Sequence, residues 1–134
     1  MQTLSVEKII LDTNFLLCQF ECGLDIKSEL LRILDGPGTL VICSGTKGEL
    51  GSLAGKNGKR ASAARFALHH LPSLSPAFRL VFPDSSGPVD EWIIKYAQKN
   101  KATVATNDVP LRRQLLALGV PVIAMKGKSK LGYV

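Results

Sequence analysis

A chain of 134 residues with 46% hydrophobic and 21% charged residues has the size and balance of one folded domain, which excludes a disordered, collagen-like or coiled-coil chain. Its longest apolar runs, 40–43 and 120–125, fall far short of the roughly 20 residues that span a bilayer, so no membrane segment is expected. A net charge of +6 favours a polyanionic partner, nucleic acid first, and says nothing about fold.

The N-terminus carries no basic stretch followed by an apolar run and a small-residue cleavage site, which points to a cytoplasmic protein. The first strand-length apolar run is 8–11, followed by helical spacing at 14–21 and 25–34. Asp35-Gly36-Pro37-Gly38 then makes a turn into a second strand at 39–43, with a helix over 46–53. Residues 55–65 form a basic segment, with Lys56, Lys59, Arg60 and Arg65 around Asn57-Gly58. That segment enters an amphipathic helix over 60–71, whose apolar face is Ala61, Ala64, Ala67, Leu68 and Leu71. A third strand at 79–82 leads through Ser85-Ser86-Gly87-Pro88 into a helix over 88–99. Strand 102–105, helix 109–118 closed by Gly119, and strand 121–125 complete the alternation. A glycine-rich tail with Lys126, Lys128 and Lys130 follows.

The strands are apolar along their whole length instead of at every second residue, which predicts burial on both faces. The expected fold is therefore α/β: a three-layer α/β/α sandwich around a mainly parallel sheet of about five strands. With no linker-like stretch and no repeat, residues 1–134 are expected to form a single domain.

Three cysteines give no disulfide framework, and Cys18 and Cys22 lie one helical turn apart, so reduced, buried thiols are expected. Zinc would need four nitrogen or sulfur ligands, and His69-His70 lacks the paired spacing of structural zinc sites.

Acids are few, eleven in all, and four of them fall where a parallel sheet opens at the carboxyl ends of its strands. Asp12 directly follows 9–11, Asp108 follows 103–105 after two residues, and Glu49 and Asp90 lie just inside the helices after the second and third strands. All four are expected to point into one cleft, packed within a few ångströms. Each also has an ordinary explanation, because acids are favoured in first helical turns. Thr46-Lys47-Gly48-Glu49 fits a capping box, Asp90 follows Gly87-Pro88, Asp108 precedes Val109-Pro110, and Asp12 or Thr13 can cap the first helix. As a set, crowded carboxylates repel one another unless a cation neutralises them, and oxygen ligands select Mg2+ or Mn2+. Acids for a metal beside a basic surface for a polyanion suggest phosphodiester hydrolysis.

Ile9-Ile10-Leu11-Asp12-Thr13-Asn14 and Val104-Ala105-Thr106-Asn107-Asp108 resemble the signatures of PIN-domain nucleases, and the resemblance covers essentially the whole chain. Val89-Asp90-Glu91-Trp92-Ile93-Ile94, then Tyr96-Ala97 and Leu118-Gly119-Val120-Pro121-Val122-Ile123, are similar to the archaeal branch that includes VapC-type toxins and ribosomal-RNA processing factors. This resemblance implies a Mg2+- or Mn2+-dependent endoribonuclease with catalytic Asp12, Glu49, Asp90 and Asp108. Asp12, Asp90 and Asp108 would hold metal, Glu49 would bind metal or orient the attacking water, and Asn14 and Thr106 would support the site by hydrogen bonding. Lys56, Lys59, Arg60, Arg65, Lys126 and Lys128 are candidate RNA phosphate contacts, each equally readable as solvated surface. A homodimer is implied too, as is an antitoxin or ribosome-assembly partner.

Two rivals use the same residues. A non-catalytic RNA-binding or assembly factor would keep the acids as caps or bind metal without turnover. A phosphoacceptor receiver would match Thr106 and Lys126, but its acceptor would be Asp84, too far along the chain, and Glu49 and Asp90 would have no role.

Overall fold

The structure, a computed structural model, describes residues 6–134. In chain order, β1 (Glu7–Leu11) is followed by α1 (Thr13–Glu21) and α2 (Ile26–Ile33), β2 (Gly38–Val41) by α3 (Ser44–Ala54) and α4 (Lys59–His70). A 3-10 turn (Leu71–Leu74) precedes β3 (Arg79–Val81), then come α5 (Val89–Asn100), β4 (Thr103–Ala105), α6 (Val109–Ala117), β5 (Val122–Met125) and β6 (Leu131–Tyr133). The described strands form one sheet in the order β3-β2-β1-β4-β5-β6. All neighbours are parallel except the β5–β6 pair, which is antiparallel.

Side-chain alternation along each strand explains the layers. Ile9, Leu11, Leu40, Ile42, Ala105 and Ile123 face the layer of α1 to α4, where they pack with Phe15, Leu16, Leu30, Leu50 and Ala64. Ile10, Val41, Val104 and Val122 face the opposite layer and pack on Ile93 and Ala97 of α5 and Leu111 and Leu115 of α6. Burial on both faces requires strands apolar throughout, and each fully buried Ile or Leu contributes about 2–3 kcal/mol of transfer free energy. The three-layer sandwich expected from the sequence is thus the observed fold, with one strand more than the five apolar runs announced.

The added strand is β6, in what reads as a basic tail. Lys126 N–H donates to the Lys130 carbonyl at 2.7 Å, closing a hairpin around Lys128. The pattern of β6, three residues with a central glycine, is too short to be read as a strand; α2 adds to the β5 pairing in holding it. Arg32 Nη2 donates to the Leu131 carbonyl at 2.6 Å, and Leu131 N–H donates to Glu29 Oε1 at 2.8 Å.

Strand order reverses at β1: the chain winds outward through β2 and β3 on one side and through β4 and β5 on the other. The carboxyl ends of β1 and β4 are neighbours there, with Leu11 opposite Ala105. Such a switch point leaves a crevice between connections that lead away on opposite faces. One wall of that crevice depends on a close approach. Ser44 Oγ accepts from Ser85 N–H at 2.8 Å, and Ser85 Oγ accepts from Gly45 N–H at 2.9 Å, which locks the β3–α5 connection onto the start of α3. A Cβ at Gly45 would stand 2.8 Å from Val89 Cγ2, so only glycine lets the two segments meet.

Candidate active site

Asp12 is the first residue beyond β1 and the N-cap of α1, 5% exposed at the foot of the crevice. Its Oδ1 accepts from Phe15 N–H at 2.6 Å, and its Oδ2 accepts a short hydrogen bond from Thr106 Oγ1. Thr106 Oγ1 in turn accepts from Asp108 N–H at 3.1 Å, so one fully buried hydroxyl ties the ends of β1 and β4 together. Asp108 caps α6, its Oδ1 accepting from Leu111 N–H at 3.0 Å. From α3, Glu49 reaches across to α1, where Thr13 Oγ1 donates to its Oε1 at 2.9 Å. Asp90 stands in the first turn of α5, exposed, with no side-chain hydrogen bond among the described residues.

These four acids line one pocket of about 260 Å³, together with Thr13, Asn14, Pro88 and Val89. No lysine or arginine lines it. The electrostatic consequence is visible in two groups. Burial, opposed by the bonds from Thr106 and Phe15 and reinforced by the charges of Asp90 and Asp108, pushes the Asp12 carboxyl up to about 6. Asp90 is also raised, by desolvation first and then by Asp108 and Glu49.

The acids share the pocket without being packed within a few ångströms. Among the described residues no three His, Cys, Asp or Glu side chains are grouped so as to hold a metal ion. This corrects the tight cluster expected from the sequence, and its cause is local. Asp12 and Asp108 are turned onto the N–H groups of their own helices, and Glu49 onto Thr13. Nor does the expected capping box at Thr46 form. Helix α3 starts two residues earlier at Ser44, with Cys43 as N-cap and no side-chain cap bond. Thr46 is fully buried, 3.5 Å from Cys43 Sγ.

Around the pocket the polar residues divide. Asn14 lines it, but its Oδ1 accepts from Arg60 Nη2 at 3.0 Å rather than meeting an acid. Arg65 has structural partners: its Nη1 donates to the Ala54 carbonyl at 2.8 Å and the Lys56 carbonyl at 3.3 Å, closing the end of α3. Lys56 and Lys59 are exposed at the α3–α4 turn, and Lys126 and Lys128 at the β5–β6 turn; none lines the acidic pocket. Asn107, passed over in the sequence, pins the β4–α6 loop. Its Oδ1 accepts from Met125 N–H at 2.8 Å and its Nδ2 donates to Cys18 Sγ at 3.3 Å. The one sequence signal for it was its place between Thr106 and Asp108.

All three cysteines are free, but only Cys43 is buried; Cys22, expected inside, caps the end of α1 in solvent, where the helix stops short of the core. Trp92 is half-buried and stacks on Tyr96 at 4.8 Å, and His70 stacks on Phe66 at 3.9 Å, so neither side chain reaches the acids.

Relatives share this frame. Ribonuclease VapC4 of Methanocaldococcus jannaschii is 33% identical over 126 residues, covering 91% of this chain and 92% of that protein. Ribonuclease VapC9 of Archaeoglobus fulgidus is 32% identical over 118 residues, covering 87% and 82%. Among solved structures, the PIN domain endonuclease Utp24 superposes with a TM-score of 0.73 at 23% identity, covering 94% of this chain and 90% of that one, a likeness of fold. A domain of a functionally unknown M. jannaschii protein does so with a TM-score of 0.69 at 17% identity. The family model described as a PIN like domain matches residues 9–128, which include all four pocket acids. By these matches and by its fold, the chain belongs to the PIN-domain nuclease family.

Proposed function

We propose that this protein is a metal-dependent endoribonuclease, a toxin or RNA-processing enzyme that hydrolyses RNA phosphodiester bonds at the acidic pocket. The observation that carries this reading is the convergence of Asp12, Glu49, Asp90 and Asp108 on one pocket at the switch point of the sheet. The two curated relatives named as ribonucleases support the choice of substrate.

The donor set fits Mg2+ or Mn2+, because every candidate ligand is a carboxylate oxygen and a divalent cation would offset the burial, and the lesser repulsion between acids, that raise Asp12 and Asp90. Asp12, Asp90 and Asp108 are the side chains that would hold it. When bound, the cation would lower the pKa of an attacking water and neutralise charge on the scissile phosphate.

The chain's own residues account for orientation. Thr106 fixes the Asp12 carboxylate and, through Asp108 N–H, the start of α6. Thr13 holds Glu49 by Oε1, which leaves Oε2 to orient the attacking water and accept its proton. Water oxygen then bonds to phosphorus as one P–O ester bond breaks, and the departing sugar oxygen takes a proton from solvent. Lys56, Lys59, Arg60, Lys126 and Lys128 lie outside the acidic pocket and serve the flanking phosphates. A cytoplasmic setting suits three free thiols. An antitoxin or ribosome-assembly partner and a homodimer belong to the same reading.

One observation favours a second reading, a non-catalytic RNA-binding or assembly factor: Asp12 and Asp108 are both in use as helix caps. Incubating the protein with structured and single-stranded RNAs in Mg2+, Mn2+ or EDTA separates the two. Cleavage in either metal and none in EDTA supports the nuclease; RNA retained uncut under every condition supports the scaffold.

A further inference from the structure

A second pocket, of about 580 Å³, adjoins the acidic one and shares Thr13, Asn14 and Glu49 with it. Its remaining wall is Gly48, Ser52 and Leu53 of α3 and Arg60 of α4. The contrast in charge is the informative feature. A polyanion entering the acidic pocket meets four carboxylates and no cation there, whereas next door it meets a guanidinium and only the shared carboxylate of Glu49. Arg60 is available for such a contact. Its side chain is 54% exposed, its pairing with Glu21 Oε2 is loose at 3.5 Å, and Nη2 reaches back to Asn14, the residue on the ridge between the two pockets. The opposite wall is low, because nothing lies within 4 Å of where a Gly48 Cβ would stand. The space suits one nucleotide, with Leu53 as an apolar surface and the Ser52 hydroxyl and Asn14 amide as polar groups.

We propose that this second pocket is the subsite for the nucleotide next to the scissile bond, with Arg60 as a positioning residue that grips its phosphate. The proposal rests on the nuclease reading for which bond is scissile, but the RNA contact stands on its own geometry and is tested separately. A guanidinium suits the role, since its planar fork pairs with phosphate oxygens bidentately.

The test is fluorescence anisotropy of a labelled single-stranded RNA oligonucleotide in EDTA, which needs neither metal nor turnover. Arg60→Gln should weaken binding about ten-fold and lower the salt slope by about one. Gly48→Leu should weaken it similarly by filling the pocket, although leucine is the better helix former and leaves the fold at least as stable. Two controls should bind like the native chain: Arg79→Gln, which removes the same charge from the opposite rim of the sheet, and Gly51→Leu, which adds the same side chain to α3 outside both pockets. In metal, both test variants should raise KM with kcat nearly unchanged. Native-like binding by Arg60→Gln and Gly48→Leu, equal losses in the controls, or no binding by the native chain would overturn the subsite. The expected binding pattern without cleavage in any metal would uphold the subsite and overturn the nuclease reading instead.

Discussion

Asp12 does two jobs that pull against each other. As N-cap of α1 it is needed in its buried position, yet there its charge is desolvated and faces Asp90 and Asp108. The folded chain therefore holds a proton on Asp12 up to about pH 6, whereas the unfolded chain releases it near 3.8. Between those values the folded state binds more protons, so this group's contribution to stability falls as pH rises from about 4 to 6 and stays low above 6. The loss amounts to about 3 kcal/mol. Asn can accept from Phe15 N–H as a cap but carries no charge. Asp12→Asn should therefore gain about 1–2 kcal/mol at pH 7, after loss of the Thr106 bond, and should flatten stability between pH 4 and 6. Urea denaturation across that range is the check. Asp12 and Asp108 were legible because one follows an apolar strand directly and the other after two residues. The Thr13–Glu49 bond was not, since it joins residues 36 apart in sequence that α1 and α3 bring together.

Elements show the same division between local and long-range signals. Helices α1 to α6 were readable within a residue or two from spacing and turns, and Gly119, at φ 76°, ends α6 as its position suggested. The early start of α3 was hidden, because the Ser44–Ser85 exchange that supports it joins two connections from different strands. Strand β6 was hidden for a related reason: besides its pairing with β5, its backbone is held by the side chains of Glu29 and Arg32, about a hundred residues away. The Arg32 guanidinium and the Leu131 N–H hold the Glu29 carboxyl down to about 2. A depressed acid stabilises the fold above its unfolded pKa, and the contribution is lost as pH falls from about 4.5 to 2. Glu29→Ala should thus speed amide exchange at Leu131 selectively near neutral pH, leaving β1 and β4 protected. Exchange measured by NMR or mass spectrometry tests this, and unchanged protection at Leu131 would show that the hairpin alone holds the edge strand.

At the scale of the molecule, charge and topology are complementary. The chain carries a net +6, yet the crevice where the strand order turns holds four carboxylates and no cation. Alternating apolar runs were enough to read a parallel sheet covered on both faces, and a parallel sheet was enough to send four separated acids to one rim. What the sequence did not carry was spacing. Side-chain bonds to Phe15, Leu111 and Thr13 hold three of the acids apart, while Asp90 alone has no such partner among the described residues. Asp90 is therefore the acid whose removal costs the fold least while still taking away a proposed metal ligand. Cleavage of RNA in Mg2+ or Mn2+ by native protein and by Asp90→Asn, with thermal unfolding of both, is the most direct measurement. The nuclease reading predicts an unfolding midpoint no lower than the native one, since Asn removes a charge that burial and the neighbouring acids disfavour, and cleavage reduced at least a hundred-fold, on the order of 3 kcal/mol of lost transition-state stabilisation. An Asp90→Asn protein that cleaves like the native chain would contradict it.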